Sequence, residues 1–202
     1  MAKKNPSHRQ SNLDRRVAVK ALLAERGDTL LVTGLGSSSY DAGTVDHPNT
    51  YYLWGGMGGA AMIGLGLALA QPKRRVLVIT GDGEMLMGMG SLATIGAEKI
   101  RNLSIAVIDN ELYSETGMQP THTSRGVDLA GIAKAAGFAT TGTVSTLPQV
   151  KAWIPRLYNT PGPVFLDIKV NANRYPLSIR LRDGVHIKNR FREALLGAKA
   201  FD

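Results

Sequence analysis

Arg75–Ile95 reads RVLVITGDGEMLMGMGSLATI. An unbroken run of apolar or small residues, Val76–Thr80, leads into Gly81-Asp82-Gly83. A second apolar stretch with helical spacing follows. A strand that is apolar on both faces belongs in a sheet covered by helices on both sides. This stretch therefore points to an α/β fold with a mostly parallel sheet. It also raises a chemical question. Asp-Gly is an ordinary turn pair, yet glycine on each side of a carboxylate also lets a ligand approach the backbone closely.

The same alternation extends in both directions. Strands are expected at Leu30–Thr33, Val76–Thr80, Ser104–Asp109, Thr141–Val144 and Val164–Val170. Helices are expected between them: Asn12–Arg26, Met57–Ala70, Met89–Ile100, Asp128–Ala136, Pro148–Tyr158 and, near the end, Ile187–Leu196. Strands alternating with helices imply βαβ units and a doubly wound sheet. One domain over 1–202 is expected, with residues 1–10 flexible. Gly34–Asn49 and Glu111–Gly126 read as the longest irregular stretches. Loops of that length in a compact domain usually carry function.

Composition excludes several classes. The chain has no cysteine, which removes disulfides, thiolate zinc sites and iron–sulfur clusters and fits a reducing cytoplasm. The N-terminus MAKKNPSHRQ is basic without an apolar stretch behind it, so it does not read as a secretory signal. The net charge of +8 is carried by the two ends, and the middle of the chain is nearly neutral. With only 6% aromatic residues, the chain lacks the basic, aromatic-bearing face expected of a nucleic-acid binder. Tyr51–Ala70 is uncharged and long enough to cross a membrane. Its many glycines instead suggest a helix packed closely on a sheet.

In such sheets ligands bind outside the carboxyl ends of the strands. Gly34–Ser39, Gly81–Gly83 and Asp109–Tyr113 all fall at that edge, so Asp82 and Asn110 are expected to meet. A carboxylate and a carboxamide offer hard oxygen ligands of the kind magnesium prefers, with phosphate oxygens and water completing its shell. GDGEMLMGMG lacks the lysine and hydroxyl pair of a P-loop, and GLGSSS at Gly34 is only a fragment of a dinucleotide fingerprint.

GDG at 81–83 followed by DNELY at 109–113 resembles the cofactor motif of the thiamine diphosphate enzymes. LWGGMGG at 53–59 resembles the segment that holds the cofactor's aminopyrimidine. With GLGLALAQPKRRVLVITGDG, GSLATI and TGMQPTHTSRGVDLAGIAKAAGF, the resemblance covers most of the chain. It is strongest toward the decarboxylase-type members that act on sulfopyruvate or phosphonopyruvate. It implies thiamine diphosphate and magnesium as cofactors. Asp82, Asn110 and the Leu112 carbonyl would be the metal ligands, with Asp109 in place of the family's first asparagine. Gly55, Gly56, Met57, Gly81, Gly83, Glu84, Asn110, Leu112 and Tyr113 would contact the cofactor. Gly55 would accept from its amino group, and Met57 would wedge its two rings into a folded shape, a proximity device. Glu84 replaces a small hydroxyl residue, so its contact is expected through its amide. His122 is the acid–base candidate, and Arg125 is the candidate for an anionic substrate tail.

The resemblance also implies a missing part. The family's pyrimidine ring pairs with a glutamate from a separate domain. Glu25, Glu84, Glu98, Glu111, Glu115 and Glu193 stand in no matching pattern. The expectation is an enzyme β subunit whose α subunit supplies that domain and glutamate, in a heterotetramer or larger assembly. It would take a small 2-oxo acid and bind neither nucleic acid nor membrane. The alternatives are a carboligase subunit resembling acetolactate synthase and a non-catalytic metal- or nucleotide-binding module.

Overall fold

The computed structural model describes residues 11–178 and 183–201. Its centre is a six-stranded, all-parallel sheet. In chain order the strands are β1 (Leu30–Thr33), β2 (Thr50–Tyr52), β3 (Val76–Gly81), β4 (Leu103–Asp109), then β7 (Thr140–Val144) and β8 (Val164–Lys169). A small antiparallel pair, β5 (Leu112–Tyr113) and β6 (Gln119–Pro120), stands outside the sheet. The spatial order is β2-β1-β3-β4-β8-β7. The chain leaves β1 toward β2 and returns to β3 on β1's other side. The loops after β1 and β3 therefore diverge, which opens the crevice where such sheets bind ligands.

Side-chain alternation divides the core in two. Leu31, Leu77, Ile79, Ala106, Ile108, Leu166 and Ile168 face one way. They pack on α1 (Arg15–Leu23) and α7 (Leu147–Asn159), with α2 (Ser37–Ala42) against α1. Leu30, Val32, Val76, Val78, Ile105, Val107 and Phe165 face the other way. They pack on α3 (Ala60–Ala70), α5 (Gly90–Glu98) and α6 (Leu129–Ala135), with Met85 of the short α4 (Asp82–Met87). The last helix, α8 (Gly184–Leu196), leans on β2 and inserts Ile187 into the first core.

Local chemistry sets the helix ends. The Asp14 and Asp128 side chains accept from the Val17 and Gly131 amides and start α1 and α6. The Gln149 side chain reaches back to the Ser145 and Thr146 amides at the start of α7. Capping of this kind satisfies N–H groups that have no partner within the helix.

Most expected strands and helices stand within a few residues of their expected bounds. Gly34–Asn49 is less irregular than its composition suggests, since it contains α2 and a 3-10 turn at Gly43–Val45. Glu111–Gly126 contains the β5–β6 pair and a second turn, His122–Arg125. The expected flexibility of residues 1–10 lies outside the described residues. Among the described residues no helix is long and apolar enough to cross a membrane. Tyr51–Ala70 is divided between β2, a glycine-rich turn and α3.

The glycines of α3 have unequal jobs. A Cβ at Gly64 would lie 2.3 Å from Val78 Cγ2, whereas at Gly66 it would meet nothing within 4 Å. Helix propensity favours alanine at both positions. Gly64→Ala should nevertheless cost about 1–3 kcal/mol by forcing the helix off the sheet. Gly66→Ala should add about 0.5–1 kcal/mol. Urea unfolding of the two variants checks this, and equal shifts would contradict the close-packing account.

Candidate active site

The loops after β1, β3 and β4 enclose a cavity of about 310 Å³. Leu35, Ser37 and Ser38 come from the first loop. Gly81–Glu84 come from the β3–α4 junction, and Asn110, Leu112 and Tyr113 from the third loop. Met57 and Met87 stand at its apolar side. Asp82 and Asn110 thus border one space, as their places at the strand ends require.

Asp82 opens α4 and is only 2% exposed. The carboxylate does not stand free at the strand end. The long loop folds back, and Thr121 donates to Asp82 Oδ2 at 2.6 Å with the Thr123 hydroxyl 3.2 Å away. Thr123 also donates to Asp109 Oδ1 at 2.9 Å. Burial, and then the neighbouring Asp109 charge, push the Asp82 carboxyl up to about 7. Asp167 is likewise pushed up to about 7 by burial and by Asp109. Among the described residues Lys169 alone answers these groups, 2.5 Å from Asp109 Oδ2 and 3.3 Å from Asp167 Oδ2. Burial works against its charge, but Asp167 and Asp109 outweigh that and raise its pKa.

Asp82, Asp109 and Asp167 against one ammonium leave an excess of buried negative charge. Asn110 adds a neutral oxygen. Its Oδ1 accepts from the Leu112 amide at 3.1 Å and keeps a second lone pair, while Nδ2 donates to Ser114. Among the described residues no three His, Asp or Glu side chains converge as a metal cluster. The donors here are instead one carboxylate, one carboxamide and backbone, a set that suits a hard cation completing its shell from phosphate and water. The residues present therefore fit a divalent cation and a diphosphate.

One carboxylate oxygen of Glu84 is held by the protein. Its Oε2 accepts from the Thr80 hydroxyl at 2.9 Å and from the Leu35 amide at 3.1 Å. A Cβ on Gly34 would fall 1.8 Å from that oxygen, so only glycine fits there. Burial raises the Glu84 carboxyl. Its Oε1 is buried and closes no hydrogen bond among the described residues. Gly83 is covered by the Tyr113 ring, 2.5 Å from where a Cβ would stand.

Of the expected site residues, Met57, Gly81, Asp82, Gly83, Glu84, Asn110, Leu112 and Tyr113 border the cavity. Gly55 and Gly56 are exposed in the turn before Met57, outside the cavity wall. His122 and Arg125 are exposed and do not border it. In that turn the flanking threonines point inward and the histidine points outward. Ser37, Ser38, Ser114 and Glu115 also line the wall and fall within the two long stretches expected to carry function, whereas Arg15, from α1, lies outside them.

Residues 34–168 match the family described as thiamine pyrophosphate enzyme, C-terminal TPP binding domain. The chain is 34% identical to the sulfopyruvate decarboxylase subunit beta of Methanothermobacter thermautotrophicus over 92% of this chain and 97% of that one. It is 36% identical to the phosphonopyruvate decarboxylase of Streptomyces viridochromogenes, over 82% of this chain but 42% of that protein. The fold is shared with a benzoylformate decarboxylase from Polynucleobacter necessarius, at a TM-score of 0.69 and 20% identity, covering 88% of this chain and 36% of that one. The chain belongs to the thiamine pyrophosphate enzyme family, as its C-terminal TPP-binding domain.

The raised Asp82 carboxyl has a measurable consequence. A carboxyl whose pKa is higher folded than unfolded favours the folded state when protonated, and this contribution is lost as pH rises through the folded value. Metal-free protein in EDTA should therefore lose thermal stability between about pH 4 and about pH 7, and Asp82→Asn should flatten part of that slope. Identical slopes in the parent and the variant would contradict the assignment.

Proposed function

We propose that the chain is the β subunit of a thiamine diphosphate- and magnesium-dependent 2-oxo acid decarboxylase acting on a substrate with an anionic tail, such as sulfopyruvate or phosphonopyruvate. One observation carries this: Asp82 and Asn110 face one cavity beside buried negative charge that a divalent cation would neutralise. The likeness to sulfopyruvate decarboxylase β along nearly the whole of both chains supports the substrate class and the subunit role. On this reading the chain is one diphosphate-binding domain.

Asp82, Asn110 and the Leu112 carbonyl would hold magnesium. Gly81, Gly83 and the Glu84 amide would lie against the diphosphate. Gly55, Gly56, Met57 and Tyr113 would flank the organic part. Bound there, the cofactor would supply the nucleophilic carbon and the electron sink that let a 2-oxo acid release CO2. The chain's own residues orient and enclose. Thr121 fixes the Asp82 carboxylate. Met57, on the apolar wall, would hold the rings folded together. The loop of β5 and β6 covers the metal side from water. His122 and Arg125 take a role only if the substrate or partner reaches the outer side of that loop.

The wall contains two glutamates, Glu84 and Glu115. Glu84 is buried, with Oε2 held by Leu35 and Thr80. The Glu115 carboxylate lies beside Gly36, at the β1 loop. The glutamate that pairs with the pyrimidine would therefore come from an α subunit. Trp54, Met57, Met62, Met87 and Met89 are large, apolar and exposed, and Gly58 packs on Met87 and Gly88 beside the cavity. We assign this surface to the α subunit. Apolar groups gathered at a site mouth are a common mark of a covered face.

Purified alone and saturated with thiamine diphosphate and magnesium, the chain should release no CO2 from sulfopyruvate or phosphonopyruvate. Adding the cognate α subunit should restore release. Replacing the partner's glutamate by glutamine should lower it about 10²–10⁴-fold, the usual contribution of a positioned acid or base. Full turnover by the isolated chain would overturn the split-site reading.

A further inference from the structure

Arg15 is the first residue of α1, an element with no other place in the cavity wall. It is 5% exposed and borders the cavity beside Ser37, Ser38 and Ile108. Among the described residues its one ionic partner is Asp41, with Nη1 3.2 Å from Oδ2. Among the described residues neither Nε nor Nη1 closes a hydrogen bond. Asp41 is fully buried and already receives a well-formed bond from Arg16, Nε to Oδ1 at 2.9 Å. The Tyr175 ring lies against both guanidinium groups, at 5.2 Å and 4.5 Å. Two cations therefore share one carboxylate.

That arrangement is poor as a stabilising device. A buried cation in excess of its partner carries a desolvation cost that apolar side chains of similar volume avoid. Burial lowers the Arg15 pKa, with Asp41 opposing, but an arginine remains charged in any case. Violations of this kind concentrate at functional sites. The cavity is thus bipolar. Its acidic wall, Asp82 with Asp109 behind it, asks for a cation. Its basic wall, Arg15 with the Ser37 and Ser38 hydroxyls, asks for an anion. Asp41 and then Asp14 act on the Arg15 charge from behind, and the exposed Glu115 carboxylate, beside Gly36, adds a weaker attraction from the cavity wall.

We propose that Arg15 is an oxyanion-binding residue of this cavity, taking phosphoryl oxygens of the cofactor's diphosphate that the Asp82–Asn110 metal does not. This rests on the thiamine diphosphate reading above. A guanidinium that borders the cavity and is not neutralised by a carboxylate of its own matches phosphoryl oxygens in geometry and charge. Arg15 binds and positions; it performs no chemical step. Glu115 yields its place at the basic wall when the diphosphate enters.

The test uses the full chain with magnesium and three probes: thiamine diphosphate, inorganic pyrophosphate and thiamine lacking phosphate. Arg15→Gln should weaken thiamine diphosphate and pyrophosphate alike by about 10–100-fold in calorimetry, the usual value of a hydrogen-bonded charge. Thiamine should bind the variant as it binds the parent. Arg15→Lys should recover part of the loss. Arg16→Gln disturbs the same Asp41 pair without touching the cavity and should stay within about 3-fold of the parent. Should Arg15→Gln fail to fold, Arg15→Lys read against its own unfolding midpoint carries the test, with weaker pyrophosphate binding at unchanged stability expected. Parent-like binding of both phosphate probes by Arg15→Gln overturns the anion site, as does an equal loss in Arg16→Gln. A parent that takes pyrophosphate through Arg15 but ignores thiamine diphosphate keeps the anion site and overturns the cofactor reading.

Discussion

Asp82, Asp109 and Asp167 are held out of water against the single ammonium of Lys169. Much of the site depends on this imbalance. Carboxylates this close and this buried repel one another and lose hydration, which raises the pKa values of Asp82 and Asp167. The fold tolerates the cost because Asp82 and Asp109 are hydrogen-bonded and Asp167 is paired with Lys169, although its Oδ1 closes no hydrogen bond among the described residues. Thr121 and Thr123 hold Asp82, while Thr123 and the Glu111 amide hold Asp109. A divalent cation beside Asp82 would convert a destabilising cluster into a balanced one. Stability without a ligand is thereby exchanged for affinity toward one, a trade typical of sites whose groups are arranged for function.

The sheet places this cluster. Parallel strands send all of their carboxyl ends to one edge, and the order β2-β1-β3-β4-β8-β7 parts the chain between β1 and β3. Arg15 enters from α1, which shares with α2 the face opposite α3 and α5. The cavity therefore draws its acidic wall from β3 and β4 and its basic wall from the α1–α2 layer. The exposed Met57 and Met87 lie at its apolar side. A metal-bound diphosphate, an organic ring system and a covering subunit each find a complementary surface.

Much of this was legible in the sequence. The continuous apolar runs of β1, β3, β4 and β8 admit hardly any other reading, and their ends fixed the meeting of Asp82 and Asn110. What stayed hidden depends on contacts between distant segments. β2 is a three-residue edge strand, too short to show a period. SSSYDA of α2 is rich in residues that favour turns and caps over helix interiors, yet it folds as a helix packed against α1. The burial of Asp82 comes from Thr121 and Thr123 on a loop whose composition suggests solvent. Arg15 has a neighbour of its own kind in Arg16, and nothing in the pattern Asp-Arg-Arg tells which of the two faces the core. His122 and Arg125 stood out by residue type, but the turn that carries them presents Thr121 and Thr123 inward.

The central claim is that Asp82 and Asn110 seat a divalent cation at the divergence of β1 and β3. Crystals of the chain grown with thiamine diphosphate and manganese, measured at the manganese absorption edge, test it most directly. The account expects one strong anomalous peak at roughly 2.1–2.3 Å from an Asp82 carboxylate oxygen, Asn110 Oδ1 and the Leu112 carbonyl oxygen, lost in Asp82→Ala. A peak seated instead among Asp109, Glu111 and Asp167, or a cofactor bound with no peak near Asp82, would contradict it.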